Sequence, residues 1–148
     1  MDNPPGLEEF ICGDELGSGL SRTVYVFYPD PTLVIKVETN TGWFQNVREH
    51  LMWCDVEWSP LMKRWFAPCI KISPCGRYLL QLRTESIQKK DYKRMPKQVP
   101  DSMTDLKTAN WGWFDGRLVA HDYGTMRETP SLTQGRVKLK KAEWSFDD

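Results

Sequence analysis

The sequence predicts an α+β protein in which a five-stranded antiparallel sheet carries one main helix. Three observations support this fold: three strand-like runs with short connections near the start, a helical repeat over residues 41–56, and a second strand pair after it. Because the chain has 148 residues, its length fits one domain with a sizeable core. We therefore interpret residues 1–148 as a single domain.

The first three predicted strands are Phe10–Leu16, Thr23–Tyr28 and Leu33–Glu38. Their β-branched and aromatic residues fit a pleated, half-buried surface. Gly17-Ser18-Gly19 interrupts the first run, and Pro29-Asp30-Pro31 forms a turn before the third. Connections this short favour neighbouring antiparallel strands.

The main helix is predicted over residues 41–56, because apolar residues recur there at steps of three and four. This stripe consists of Phe44, Val47, His50, Leu51 and Cys54. Asn40 or Thr41 is the predicted N-cap. Pro60 ends the run, and a short helical turn is expected at Leu61–Phe66.

The remaining two strands of the sheet are predicted at Ile70–Ile72 and Tyr78–Leu82, which alternate around the turn at Ser73–Gly76. A further hairpin is predicted between Asn110 and Asp122, because Asp115-Gly116 separates two apolar runs and this pair favours a type I′ turn.

That last hairpin returns the chain to its starting point, so Asn110 and Asp122 should lie close together with Asp105 nearby. Two acceptor oxygens that converge on one point suit Mg²⁺, which takes few protein ligands and completes its octahedron with water and phosphate oxygens. A neighbouring carboxylate can orient a hydroxyl group and accept its proton. The alternative for Asp105 and Asn110 is ordinary turn chemistry.

Lys36 is the second candidate for a functional side chain. It lies inside a predicted strand between Ile35 and Val37, and the alternation of a strand places it on the opposite face from both. It either contacts a ligand and a helix carboxylate or faces solvent from an edge strand. Glu49 is the preferred carboxylate partner, and Glu57 is the competitor.

A glycine-rich turn precedes this lysine. Gly17 and Gly19 allow the main chain to approach an anion, because neither carries a Cβ atom. Arg22 follows three residues after Gly19. It either brings a positive charge to a phosphate or points into solvent.

Taken in order, these segments resemble the motifs of protein kinases. Gly17 to Val24 is similar to G-x-G-x-x-G-x-V, and Lys36 stands where V-A-I-K has its lysine. Asp105–Asn110 is similar to D-L-K-x-x-N, and Asp122-Tyr123-Gly124 is similar to D-F-G. The chain most resembles the small kinase-like proteins of bacteriophages and related bacterial genes, which lack the large carboxy-terminal lobe.

The resemblance implies an ATP- and Mg²⁺-dependent phosphotransferase with a five-stranded antiparallel N-lobe over residues 1–85. A strongly reduced C-lobe over residues 86–148 would carry the hinge, the catalytic and metal loops and a short tail. The expected catalytic residues are Asp105, Lys36, Glu49 and Lys107. The expected nucleotide-binding residues are Gly17, Ser18, Gly19, Val24, Lys36 and Glu85, and the expected metal ligands are Asn110 and Asp122. A protein is the expected acceptor, and Arg83–Ser86 is the expected hinge.

The chain also departs from the kinase pattern. Met103 and Thr104 stand where kinases have His and Arg before the catalytic Asp, so control through that Arg is not expected. The basic segment 88–94 can hold one short helix and is either a solvated surface or a docking patch for an acidic partner. Residues 125–134 read as a loop and Arg136–Lys140 as a strand. Trp144 and Phe146 would dock onto the body or onto a partner.

Two rival functions follow from the same residues. A binding module could keep the kinase-like fold and inhibit or modulate a partner protein through its tryptophan-rich surface. The same site could also transfer an adenylyl group. The seven tryptophans could equally fill the core.

Composition narrows the cellular setting. Lys plus Arg equals Asp plus Glu at 20 each, so charge gives no argument for a nucleic-acid or membrane partner. We find no long apolar run and no signal peptide, and the four cysteines lack zinc or disulfide spacing. The expected location is the cytoplasm, that of the host cell if the source is viral.

Overall fold

The structure is a computed structural model that describes residues 6–39 and 42–146. A five-stranded antiparallel sheet forms most of its first half. Its strands are β1 (Cys12–Ser18), β2 (Arg22–Phe27), β3 (Leu33–Glu38), β4 (Cys69–Ile72) and β5 (Tyr78–Leu82). The strand order is β1-β2-β3-β5-β4, and every neighbouring pair is antiparallel. The α+β class and the five-stranded sheet predicted from the sequence are therefore confirmed.

The first strand begins later than predicted. A short helix, α1 (Glu8–Ile11), replaces its expected first residues, and Phe10 lies on the surface rather than in the sheet. At the other end the strand continues through Gly17 and Ser18, which pair with Val24 and Thr23. The glycine that was expected to end the strand thus extends it, because a glycine can still hydrogen-bond in a ladder.

The main helix, α2 (Gln45–Val56), presents a different face to the sheet from the predicted one. Phe44 and Leu51 are each 56% exposed, so the predicted apolar stripe is wrong. The buried residues of the helix are Asn46, Glu49, Met52, Trp53 and Val56. These also recur at steps of three and four, but two of them are polar and therefore escaped a search for apolar residues.

The helix begins at Gln45, and the predicted caps Asn40 and Thr41 lie outside the described residues. A strand residue satisfies the first backbone groups instead. The Glu38 carboxylate accepts hydrogen bonds from the backbone amides of Gln45 (2.9 Å) and Asn46 (2.8 Å). A negative charge at this end of a helix also interacts favourably with the helix dipole. The end of β3 and the start of α2 are thereby fixed together.

A second, three-stranded sheet joins β6 (Glu85–Ser86), β8 (Trp111–Phe114) and β9 (Arg117–Ala120) in the order β6-β8-β9. The turn of its hairpin has positive φ at Asp115 (51°) and Gly116 (77°), as a type I′ turn requires. The hairpin predicted from this residue pair is confirmed. Between it and α2 lies the short helix α3 (Pro60–Lys63), whose N-cap is Ser59.

The segment after β6 contains a 3-10 helix at Lys89–Arg94, in agreement with the short helix expected there. Its basic side chains point outward, whereas Asp91 is buried. The strand β7 (Gln98–Pro100) follows it. This strand pairs with a strand close to the end of the chain, so the two ends of the second half meet.

The predicted strand Arg136–Lys140 is divided into two short strands. They follow β10 (Leu132–Thr133): β11 (Arg136–Val137) pairs with β10, and β12 (Leu139–Lys141) pairs with β7. Lys138 lies between them and binds through its backbone to loops on both sides. Each strand therefore has a different neighbour, which alternation along the sequence does not reveal.

The last described residues dock onto the body of the protein. Trp144 packs edge-on against buried Trp111, with ring centres 5.0 Å apart, and its Nε1 donates to the Pro96 carbonyl at 2.9 Å. The backbone of Ser145 hydrogen-bonds Leu106 and Thr108. The tail therefore supports the loop that contains Asp105 and Asn110.

One apolar core runs under both halves of the structure. Its large members include Val56, Phe66, Leu79, Trp111 and Tyr123, all almost fully buried. Tryptophans occur both in this core and on the surface, where Trp58 is 68% exposed. Within residues 6–39 and 42–146, no helix has the length and apolar character needed to cross a membrane.

We expect Trp144→Ala to lower the free energy of unfolding by about 2 kcal/mol, because it removes a ring contact and a hydrogen bond at a half-buried position. Trp58→Ala is the control and should leave the free energy of unfolding almost unchanged, since Trp58 is exposed. Urea denaturation of both variants measures this. Equal losses in the two variants would show that the tail is not a structural element.

Candidate functional site

A cleft of about 1170 Å³ separates the five-stranded sheet from the β8–β9 hairpin. Its walls include all the residues expected to bind nucleotide or metal: Gly17, Ser18, Gly19, Val24, Lys36, Glu85, Asn110 and Asp122. Residues 82–86 form one side of the cleft, and no tryptophan lines it among the described residues. Sequence reasoning thus grouped residues that lie up to 105 positions apart in the chain, from Gly17 to Asp122.

Lys36 and Glu49 form an ion pair at the inner end of the cleft. The Lys36 ammonium lies 2.7 Å from Glu49 Oε2, and only 2% of Lys36 is exposed. The same ammonium donates to the backbone carbonyl of His121. The expected partner is confirmed over the exposed Glu57, and the solvent-facing alternative for Lys36 is wrong.

Arg22 enters the same cluster from the start of β2. Its guanidinium binds both oxygens of Glu49 (2.9 and 3.0 Å) and Asn46 Oδ1 (3.0 Å). Its Nη2 also lies 2.8 Å from Asp122 Oδ1. Only 5% of Arg22 is exposed, so the expectation that it could point into solvent is wrong.

Burial and charge pairing act in opposite directions on the groups of this cluster. Burial disfavours ionised Glu49, but Arg22 and Lys36 outweigh it and lower the pKa of Glu49 to about 2. Burial lowers the pKa of Lys36, and the Glu49 charge opposes that shift. Burial alone would lower the pKa of Arg22, but Glu49 and Asp122 raise it instead.

Glu49 also holds the segment that follows the hairpin. The backbone amide of Tyr123 donates to Glu49 Oε1 at 2.6 Å, and the Tyr123 hydroxyl donates to the Ala67 carbonyl at 2.8 Å. Next to it, a Cβ atom on Gly124 would lie 2.8 Å from the backbone oxygen of Gln45. Only glycine fits this close approach, so the two residues that follow Asp122 are both held against α2.

His121 connects the opposite walls of the cleft and was not singled out from the sequence. Its Nε2 donates to the Ala109 carbonyl at 2.7 Å, and its Nδ1 lies 2.7 Å from the Thr84 hydroxyl. Burial, together with the charge of Lys36, lowers the pKa of His121. A neutral imidazole satisfies both contacts, because Nδ1 can accept the hydroxyl proton.

Asn110 and Asp122 are neighbours, as the hairpin prediction required. The backbone amides of His121 and Asp122 both donate to the Asn110 carbonyl, at 2.9 and 3.3 Å. The Asp122 side chain is 46% exposed, so a dissolved ligand can reach it.

Asp105 and Lys107 are not among the residues that line the cleft. Both are exposed on the loop that leads to Asn110. Among the described residues, the Asp105 carboxylate accepts one long hydrogen bond, 3.4 Å, from the Lys107 amide. The structure thus places Asp105 on the loop before Asn110 and outside the set of residues that line the cavity with Asn110 and Asp122.

The glycine-rich turn leaves space next to the main chain. A Cβ atom on Gly17 would meet nothing within 4 Å, and one on Gly19 would meet only the Arg22 carbonyl, at 3.9 Å. Neither glycine is therefore required by packing against the protein. The space beside Gly17 is therefore open on the side of the cleft that Gly17 lines.

A scan against models of known protein families finds no match for this chain, and a search of curated proteins finds no match either. The chemistry of the site therefore follows from its own groups. These are a buried Lys–Glu pair, a second buried cation at Arg22, and an accessible Asp beside an Asn.

We expect Glu49→Gln to lower the free energy of unfolding by about 3–5 kcal/mol, because it leaves two buried cations without their shared counter-charge. Glu57→Gln is the matched control on an exposed carboxylate and should have almost no effect. Chemical denaturation of both variants compares them. A Glu49→Gln protein as stable as the control would contradict the description of the cluster.

The lowered pKa of Glu49 predicts a specific acid sensitivity. Since the folded state holds this pKa near 2 rather than the ordinary 4.5, the unfolded state binds more protons between these values. The free energy of unfolding should therefore fall as the pH drops from about 4.5 towards 2. Glu49→Gln should lose less stability over this range in urea titrations, and parallel curves for the two proteins would rule out this origin.

Proposed function

We propose that the protein is a reduced kinase-like phosphotransferase that binds ATP with Mg²⁺ in the cleft. The observation that carries the proposal is the buried Lys36–Glu49 pair, which hydrogen-bonds the residues on either side of Asp122. Lys36 lines the same cavity as Asp122, Asn110 and the glycine turn. The sheet order β1-β2-β3-β5-β4, with α2 packed behind β3, supports it. So does the occurrence of all these motifs in kinase order along the chain.

The cleft residues fit a nucleotide. The volume of about 1170 Å³ is ample for one, and the apolar side chains of Leu16, Val24 and Val34 can cover a flat base. The backbone of residues 83–85 would provide hydrogen bonds to the edge of that base. Gly17 and Gly19 would let the main chain approach phosphates, and Lys36 would supply the positive charge.

The donors also fit magnesium. Mg²⁺ commonly binds one or two protein oxygens and completes its shell with phosphate oxygens and water. Asp122 and Asn110 line the same part of the cleft, and the Asp122 carboxylate is accessible. Arg22 contacts only Oδ1 of this carboxylate in the structure, and a carboxylate has two oxygens. When bound, Mg²⁺ would neutralise part of the phosphate charge.

The chain's own groups then have distinct tasks. Lys36 orients the phosphates, and Glu49 holds Lys36 in place through the 2.7 Å ion pair. Asp105 accepts the proton of the acceptor hydroxyl, whose oxygen forms the new bond to phosphorus while ADP leaves. Because Asp105 lies on the exposed loop outside the cleft, the acceptor approaches from solvent. Lys107 on that loop would offset charge on the transferred group.

An exposed apolar surface favours a second candidate function, that of a kinase-like binding module. Large apolar side chains stay exposed around α2 and α3: Trp43, Phe44, Leu51, Trp58 and Leu61. Exposed apolar side chains are typical of protein contacts where they form one contiguous patch. On this alternative, Asp105→Ala leaves the biological effect of the protein intact. On the proposed function, the same substitution removes that effect.

We expect Mg²⁺-ATP to raise the melting temperature of the wild-type protein, because a ligand that binds only the folded state stabilises it, by about 2.7 kcal/mol at 100 times Kd. Asp122→Ala should abolish ATP turnover, while Asp55→Ala, which alters an exposed carboxylate on α2, should retain it. Differential scanning fluorimetry and an ADP-release assay measure the two effects. Undiminished turnover in Asp122→Ala would refute the site, and no shift with ATP would favour the binding module.

A further inference from the structure

Arg22 is a buried cation that contacts Asp122, one of the two candidate metal ligands. None of the roles expected for the other cleft residues explains this contact. Its guanidinium makes three hydrogen bonds to side chains of α2 and one to Asp122. Its Nη1 and Nη2 each donate to one oxygen of Glu49, which is the bidentate geometry that arginine and carboxylate prefer. Three of its four bonds therefore tie it to the helix and not to the cleft.

The two ends of this arrangement differ in exposure. Arg22 is 5% exposed and Glu49 fully buried, whereas the Asp122 side chain is 46% exposed. The bond between Arg22 and Asp122 is thus the one that meets solvent and can be exchanged. If it breaks, the guanidinium remains held by Glu49 and Asn46, a few ångströms from the carboxylate it has left.

The charges of the cluster cancel when Arg22 is present. Lys36 and Arg22 contribute two positive charges, and Glu49 and Asp122 contribute two negative charges, so the sum is zero. Without Arg22 the sum would be one negative charge next to Asn110. Charges this close interact strongly in a partly buried site, where salt screens them poorly.

We propose that Arg22 is a resident counter-cation that competes with divalent metal ions for Asp122. A metal ion at Asp122 must share the carboxylate with a guanidinium that stays nearby and repels it. Arg22 thereby weakens the binding of divalent cations by the nucleotide-free protein. It raises the metal concentration at which the site becomes occupied. The metal role of Asp122 and Asn110 belongs to the proposed function, and the inference rests on it to that extent.

The direct test measures Mn²⁺ binding to the folded protein by electron paramagnetic resonance, with no nucleotide present. Arg22→Gln, which removes the charge but keeps hydrogen-bonding groups, should bind Mn²⁺ about tenfold or more tightly than wild type. Arg22→Lys keeps a charge and should stay close to wild type. The double variant Arg22→Gln with Asp122→Asn should return to weak binding, which would locate the gain at Asp122.

Equal or weaker Mn²⁺ binding in folded Arg22→Gln would overturn the proposal, and so would a gain that survives Asp122→Asn. Circular dichroism checks the fold of each variant. Should Arg22→Gln fail to fold, the wild-type protein decides through nitrogen-15 NMR of its arginine side chains during a Mg²⁺ titration. Mg²⁺ binding that depends on Asp122 and leaves the Arg22 signals unchanged contradicts competition. Altered Arg22 signals agree with it, and the absence of any binding contradicts it, because no metal ion then competes for Asp122.

Two parallel titrations with ATP, one in EDTA and one with excess Mg²⁺, separate this inference from the proposed function. If ATP binds to neither the wild type nor Arg22→Gln, with or without Mg²⁺, the phosphotransferase proposal fails. The Mn²⁺ comparison remains valid in that case, because it contains no nucleotide. Conversely, if ATP binds but Arg22→Gln has the Mn²⁺ affinity of the wild type, the proposed role of Arg22 is refuted. The phosphotransferase proposal is then unaffected.

Discussion

The buried carboxylate of Glu49 is the contact on which the rest of the site depends. It accepts hydrogen bonds from Lys36 on β3, from Arg22 on β2 and from the backbone amide of Tyr123 after the hairpin. One helical residue thus fixes three segments of the chain relative to each other. An ionised group at zero exposure is stable only because these donors replace its water. These ion pairs and hydrogen bonds offset the cost of burying the carboxylate, and they also position the walls of the cleft.

The same contact joins the two halves of the structure. Most of the first half is held by local strand pairing, whereas the second half has short strands and short helices. The second half is joined to the first at the cluster around Glu49 and at Ala120, whose backbone hydrogen-bonds Trp65 and Ala67. The tail packs within the second half, where Trp144 contacts Trp111 below the loop of Asp105. On the proposed function, the tail supports a loop that larger kinases hold with a full helical lobe. These contacts hold the sheet and the hairpin, which form the two walls of the cleft, in a fixed position relative to each other.

Local chemistry determines how far the sequence predicts this fold. The strand Leu33–Glu38 and the turn at Asp115-Gly116 were predicted correctly, because residue type and spacing alone specify them. The buried face of α2 was not, because its marker is Asn46, whose amide group donates to three backbone carbonyls of distant segments. Arg22 was left undecided for the same reason. Its partners lie 24 to 100 residues away, and polar side chains with distant partners look like surface residues in a sequence.

If the protein is the proposed phosphotransferase, a nucleotide binds in the cleft between the sheet and the hairpin. An amide NMR titration of the wild-type protein with ATP and Mg²⁺ tests it most directly, because it reports the position of the ligand independently of turnover. The account predicts that the largest shifts fall on Gly17, Gly19, Glu85 and Asp122. Shifts centred instead on the exposed apolar residues around α2, or no shifts at millimolar ATP, would contradict it.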